Sequence, residues 1–227
     1  PEPTVVPSEH FNTVLYTGDG TTSHAITGVG FAPDFVWLKS RPATSGQNLT
    51  NTISGATKYL RSDLTAAEGT ANIVTAFGSD GFTVGDGNGQ DVNKSGESIV
   101  AWNWKANGAG VTNNDGTIES TVSANADAGF SIVSYTGTGA TGTVGHGLTV
   151  APDLVICRPR NLATHWRFWS NGLTGATYTM FLNSTGAEQI QTDAFGALPT
   201  ASVFSVGVDL TTSTEPYIAY CFHSVEG

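Results

Sequence analysis

One strand-like segment occurs twice in the chain and constrains its fold more than any other feature. VGFAPDFVWLK at residues 29–39 returns as TVAPDLVICR at residues 149–158. Each copy has Ala-Pro-Asp, then a run of large apolar residues, then a cation. Proline lacks an N–H and suits the first residue of a strand but not its middle. The run behind it is too long for one-face alternation. The segment therefore predicts a core strand that begins at Pro-Asp, once in each repeat.

Further landmarks recur in the same order, which predicts tandem duplication of one β-unit. FNTVLYTG and FSIVSYTG begin 119 residues apart, at Phe11 and Phe130, and the two Pro-Asp steps keep that separation. The other pairs are GAT at 55–57 and 175–177, GFTVG at 81–85 and VFSVG at 203–207, and IVAWNW at 99–104 and YIAYCF at 217–222.

The composition narrows the classes of function. Charged residues make up 12% of the chain, where about 25% is typical, and 28 glycines favour short strands joined by tight turns. A net charge of −10 argues against nucleic-acid binding, which needs a basic surface. No run of about 18 apolar residues occurs, so no membrane span is expected.

The pattern predicts an all-β fold of two tandem homologous β-sandwich units, jelly-roll-like in character. Residues 1–10 are expected to form an extended linker with a short edge strand at 4–6, and residues 11–108 to form repeat 1. Repeat 2 is assigned to 109–227, with a hairpin linker at 109–128. Its turn is placed at 113–116, because Asp-Gly is a strong two-residue hairpin signal.

One loop resembles a calcium-binding loop in its spacing. Asp86, Asn88 and Gln90 place oxygen atoms at alternate positions, and Glu97 stands twelfth in the same frame. Carboxylates and amides at such positions can converge on one hard ion. However, the sixth position is Asp91 instead of the glycine needed for a sharp turn, and no helices flank the loop. A solvated hairpin loop is the alternative interpretation.

The stretch HWRFW is the candidate binding surface. In a strand, His165, Arg167 and Trp169 would share one face. If that face is exposed, an aromatic plate beside a planar cation would suit stacking on a sugar ring or an interface. The alternative is that Trp169 closes the edge of a core and Arg167 covers it.

The remaining candidates favour structural roles. Trp37, Trp102 and Trp104 are interpreted as core or sheet-covering residues, and Cys157 and Cys221 as two buried thiols or a bridge between neighbouring strands. GTGATG at 137–142 fits a dinucleotide motif in spacing, but strand and turn follow it instead of a helix. No catalytic motif is found, and no cofactor is expected apart from the calcium alternative.

These landmarks resemble the repeats of a family common in bacteriophage virion proteins, especially those of marine and cyanobacterial phages. The segments that carry the resemblance are 11–20, 26–41, 55–60, 80–85 and 99–105, with the second unit matching less closely at Val150, Cys157 and Phe222. Such repeats often follow a SPRY-like domain in longer tail-fibre-like proteins, which implies an excised part of a longer chain. The resemblance implies a place on the virus particle and no catalytic residues.

The sequence therefore leads us to expect a non-enzymatic structural module of a virion, from a tail fibre, an appendage or a capsid-surface protein. Such a module would present a rigid β-surface and pack against copies of itself and other virion proteins. The alternative is a carbohydrate-binding module that recognises a host-surface glycan through Trp169, Arg167 and the loops. An enzyme acting on host glycans is a third hypothesis, without a motif to support it.

Overall fold

The computed structural model describes residues 5–225, and its regular structure is almost entirely antiparallel β-strand. The predicted all-β class is confirmed. The helical segments of the described chain are three short 3-10 turns, at Pro7–Glu9, Gly87–Gly89 and Val208–Leu210. Across residues 5–225, no helix has the length and apolar character needed to cross a membrane.

Contacts divide the described chain into two compact units: unit 1 comprises residues 5–64 and 68–108, and unit 2 comprises residues 65–67 and 109–225. The strands of unit 1 are β1 (Phe11–Thr17), β2 (His24–Thr27), β3 (Phe35–Ser40), β4 (Gln47–Asn51), β5 (Lys58–Arg61), β6 (Gly69–Thr70), β7 (Val74–Gly78), β8 (Gly81–Val84) and β9 (Ser98–Trp104). Those of unit 2 are β10 (Val111–Asn113), β11 (Ser120–Asn125), β12 (Phe130–Thr136), β13 (Gly142–Gly145), β14 (Leu154–Pro159), β15 (Arg167–Ser170), β16 (Tyr178–Phe181), β17 (Gln189–Ile190), β18 (Val203–Val206) and β19 (Pro216–Phe222).

Each unit has a large sheet and a small one. In unit 1 the large sheet has the order β1-β9-β3-β4-β5-β6, and the small sheet has the order β2-β8-β7. In unit 2 the large sheet has the order β10-β11-β12-β19-β14-β15-β16-β17, and β13 pairs with β18. From β12 onward, the large sheet of unit 2 follows the order of unit 1 strand for strand.

The core of each unit joins its two sheets. In unit 1, alternate residues of β3 and β9 meet residues of the small sheet in one buried cluster, which includes Val36, Leu38, Ile99, Ala101, Ile26, Phe82 and Val84. In unit 2, the corresponding cluster includes Val155, Cys157, Tyr217, Ala219, Val144, Phe204 and Val206. Because side chains alternate between the faces of a strand, the residues between these positions lie on the other face of each large sheet.

The aspartate of each Pro-Asp step fastens the start of a central strand to the chain that leaves the neighbouring strand. Asp34 precedes β3, and its carboxylate accepts the N–H of Ala106 at 2.7 Å and of Gly108 at 3.1 Å. Asp153 precedes β14, and its carboxylate accepts the N–H of Ser224 at 2.7 Å. The backbone N–H of each aspartate also donates to the last residue of the adjacent strand, Trp104 or Phe222.

Two local predictions are wrong. The chain at 113–116 does not make a two-residue hairpin, because β10 and β11 pair with Asn113 opposite Ser120 across a longer loop. Within that loop the Asn113 side chain accepts the N–H of Asp115, and Ile118 bridges to Val144 of the small sheet. Of the expected edge strand at 4–6, residue 4 lies outside the described chain, and residues 5 and 6 belong to no strand.

Replacing Asp34 by alanine is expected to lower the free energy of unfolding by about 2 kcal/mol, because the buried N–H of Ala106 loses its acceptor. The matched variant Asp153→Ala should cost less, about 1 kcal/mol, because Ser224 is exposed and its N–H can bond to water. Urea unfolding of both variants measures the difference. An equal cost would contradict this role of Asp34.

The same two carboxylates should have opposite pH dependences. Burial raises the pKa of Asp34, so the pH-dependent part of its contribution to stability is complete below 3.8 and is lost as the pH rises through the raised value. Hydrogen bonds from the backbone and hydroxyl of Ser224 lower the pKa of Asp153, so its contribution is present above 3.8 and is lost on acidification. The stability lost in Asp34→Asn should therefore shrink from about pH 3 to about pH 7, and that lost in Asp153→Asn should grow. Slopes of the same sign would refute the assignment.

Candidate functional site

The structure separates the residues of the predicted binding surface in unit 2. Trp169 lies opposite Val155 of β14 and is only 3% exposed, within the core of the unit. The expectation of an exposed aromatic plate at Trp169 is therefore wrong. Its indole points into the space between the two sheets, as the alternative interpretation holds.

Arg167 and His165 meet at Phe181 instead. The Arg167 guanidinium carbon lies 4.7 Å from the centroid of the Phe181 ring, and its Nη2 donates to Asp209 Oδ2 at 2.8 Å. The ring of the exposed His165 lies 4.7 Å from that of Phe181, and its Nδ1 lies 3.3 Å from Asn183 Oδ1. Arg167, His165 and Phe181 thus form a small cluster on the strand pair β15–β16. The tryptophan that the predicted binding surface required is not part of this cluster.

The oxygens expected to bind calcium have separate protein donors. Asp86 Oδ1 accepts the N–H of Asn88, and Asn88 Oδ1 accepts the backbone N–H of Asn72. In the same loop, Gln90 Oε1 accepts from Arg61 Nη1 at 2.6 Å.

The partners of Glu97 lie outside that loop: its carboxylate binds Lys94 and accepts from the hydroxyl of Ser40. Over residues 5–225, no group of three or more His, Cys, Asp or Glu is placed to hold a metal ion. The solvated-loop interpretation fits these contacts better than the calcium site.

Both cysteines are free and buried. Cys157 lies opposite Ala219, and Cys221 lies opposite Val155, so the two are not a directly facing pair across β14 and β19. Burial raises the pKa of Cys157 to about 12, against the opposing effect of a hydrogen bond with Tyr135. Neither thiol is in the reactive thiolate form at neutral pH.

Three tryptophans form the aromatic surface of unit 1. Trp37 of β3 and Trp102 of β9 face each other across the strand pair, with ring centroids 6.2 Å apart. Trp104 lies two residues further along β9, and its ring is 5.1 Å from that of Phe35. All three are half-buried on the sheet face opposite the core, so they cover the sheet instead of filling the core.

Gln47 on β4 completes this group and was missed by the sequence analysis. Its Oε1 accepts the indole N–H of Trp37 at 3.0 Å, and it lines an open pocket of about 300 Å³ together with Trp37, Trp102 and Trp104. The alternation of small Ala101 and Asn103 with large Trp102 and Trp104 is the sequence signal that could have placed the tryptophans outside the core.

The family model described as Domain of unknown function (DUF7483) matches residues 6–227. The chain belongs to this family. The DUF7483 match extends across both units. No curated protein and no solved structure matches the chain.

Removal of divalent cations from this DUF7483 chain with EDTA is expected to leave its melting temperature unchanged, because the oxygens of Asp86, Gln90 and Glu97 already accept hydrogen bonds from the protein. Calorimetry with EDTA and with excess CaCl₂ measures the effect. The matched variant Asp86→Asn keeps an oxygen acceptor but removes the charge. A rise in melting temperature with calcium that is lost in Asp86→Asn would refute the solvated-loop interpretation.

Proposed function

We propose that this chain is a non-enzymatic structural module of a phage particle and that it packs against copies of itself. The virion location is supported by the resemblance of its repeats to those of phage virion proteins. A tail fibre, an appendage and a capsid surface all fit that resemblance. The observation that carries the packing proposal is the open edge of strand β1.

Strand β1 ends the large sheet of unit 1, and β9 is its pairing partner from Phe11–Trp104 to Thr17–Ser98. The equivalent strand of unit 2, β12, has a partner on each side. Its second partner is β11, which in turn pairs with β10. In unit 2, this edge of the fold therefore accepts an antiparallel strand. In unit 1, none of the strands in residues 5–225 pairs with the corresponding side of β1.

The ladder with β9 shows which backbone groups of β1 point outward. Lys105 donates its N–H to His10 O, and Gly18 donates its N–H to Glu97 O. Because the bonded residues alternate in an antiparallel pair, the odd-numbered residues of β1 direct their N–H and C=O groups away from β9. In agreement, the N–H of Thr13 donates to the side chain of its own neighbour, Asn12.

Strand β1 lacks the usual protection of an edge. Natural edges are blunted by proline, lysine, bulges or short length. The sequence FNTVLYT has seven residues, no proline and no charge, and its register with β9 is continuous. Leu15 on this strand is 59% exposed. Such an edge is suited to pairing with another strand.

A second copy can supply that strand as a two-fold antiparallel pair centred on Val14. Phe11 would then lie opposite Thr17, and Thr13 opposite Leu15. The outward N–H and C=O groups of one copy would thus face those of the other and could form hydrogen bonds. A two-fold axis of this kind joins identical surfaces and closes the assembly. The absence of charge on β1 favours the contact, because no ion has to lose its water.

The full chain is expected to have at least twice its monomer mass of 23.5 kDa by light scattering. Thr13→Pro should restore the monomer, because it removes an outward N–H but no bond to β9. Thr13→Val keeps the N–H and is the matched control. A wild-type monomer at every concentration, or equal assembly of Thr13→Pro, would refute the edge-pairing proposal.

The virion location has a separate test. Peptides of the chain should be found by mass spectrometry in purified particles of a phage that encodes it, in amounts comparable to other structural proteins. Their absence from the particles would refute the location and leave edge pairing unaffected. The carbohydrate-binding alternative, in the form that uses Trp169, loses support because that indole is buried.

A further inference from the structure

The tryptophan pocket on the large sheet of unit 1 has no charged lining residue. Its four lining residues are Trp37, Gln47, Trp102 and Trp104. Lys39 is the next residue of β3 on this face, but its ammonium donates to the carbonyls of Ser40 and Ala43. A charged ligand would therefore meet no opposite charge in the pocket, which favours a neutral ligand.

The aromatic side chains are arranged to receive a ring. Trp37 and Trp102 meet edge to face, with an interplanar angle of 77°. A T-shaped pair does not bury two ring faces against each other, so aromatic surface remains for a ligand. A volume of about 300 Å³ is at the small end for ligand sites, which suits a single ring.

Gln47 supplies the polar contact. Its Oε1 is occupied by the Trp37 indole at 3.0 Å, which fixes the side-chain orientation. The two hydrogens of its amide nitrogen are the donors that the group can offer to a ligand. A purely apolar ligand would desolvate this amide without replacing its hydrogen bonds, which is unfavourable.

Unit 2 shows what the same place in the fold accommodates. The strand registers make Trp166 the equivalent of Gln47, and Tyr220 the equivalent of Trp102. Trp166 stacks on Tyr220 with ring centroids 6.3 Å apart and planes at 28°, and Arg158 covers it at 5.0 Å. Unit 2 thus fills the equivalent position with an indole of its own, whereas unit 1 has a shorter amide and a pocket.

We infer that this pocket binds a neutral sugar ring. The C–H face of a pyranose packs against Trp37 and Trp102, and one of its hydroxyls accepts a hydrogen bond from Gln47 Nε2. A pyranose satisfies all three requirements, since it is uncharged, has the size of one ring and combines an apolar face with hydroxyl acceptors. The site uses none of Trp169, Arg167 and His165, and it does not depend on the virion role.

The test is a titration of the ¹⁵N-labelled full chain with methyl glycosides of glucose, galactose, mannose and N-acetylglucosamine. The indole N–H signals report on each tryptophan and are assigned with Trp→Phe variants. With at least one of these sugars, Trp37 and Trp102 should shift saturably, with a dissociation constant on the order of 1 mM. The buried Trp166 and Trp169 should not move.

Two variants separate binding from folding. Trp102→Ala should weaken binding at least about tenfold. Gln47→Met keeps the length of the side chain but removes the amide, so it should weaken binding at least about tenfold while the indole signals of Trp166 and Trp169 stay in place. Phe181→Ala removes an aromatic ring outside the pocket and is the matched control.

Three outcomes would overturn the inference. The first is no saturable shift with any of the four sugars. The second is binding that Gln47→Met leaves unchanged. The third is a shift of the pocket tryptophans with phenol but with none of the sugars, which would indicate an aromatic side chain of a protein partner as the occupant.

Discussion

The carboxylates of Asp34 and Asp153, each directly after a proline, fasten together two neighbouring inner strands of each large sheet. Asp34 and Asp153 begin the strands β3 and β14, and each accepts an N–H from the chain that leaves the adjacent strand, β9 or β19. These pairs, β9 with β3 in unit 1 and β19 with β14 in unit 2, lie inside the large sheets, with a further strand on each side. The proline contributes a fixed φ, and the aspartate contributes the acceptors that an isolated strand end would lack.

Local pattern was sufficient to predict the class of fold and the core strands after the two Pro-Asp steps. The Pro-Asp step, the β-branched run behind it and the repeated order of landmarks are properties of neighbouring residues, and the structure shows β3 and β14 where they predict a core strand. The turn at 113–116 was not predictable in this way. The loop that contains it bridges from Ile118 to Val144 of β13, a contact between residues far apart in the sequence.

The faces of the aromatic strands show why the candidate site was less predictable than the fold. HWRFW has an aromatic ring at both Trp166 and Trp169, so alternation offers no polar–apolar contrast to identify the inner face, and both residues are in fact buried. In AWNW at 101–104, the small Ala101 and Asn103 alternate with indoles and identify the inner face correctly. The partners of the loop at Asp86 could not be predicted, because Arg61 and Asn72 precede it by many residues.

The two units show how one fold can carry different surfaces. The backbone hydrogen bond from Asp34 to Trp104 at the start of β3 recurs from Asp153 to Phe222 at the start of β14, so the two large sheets share this backbone arrangement. On the outer face of the large sheet, unit 2 has Trp166 stacked on Tyr220, and at the equivalent position unit 1 has Gln47 beside a pocket. The second difference is at the sheet edge: in unit 2, β11 pairs with β12, whereas in unit 1 the equivalent strand β1 is the last strand of its sheet. Both differences replace a contact within unit 2 by an accessible surface in unit 1, and such surfaces are where a unit of this fold can acquire partners without altering its core.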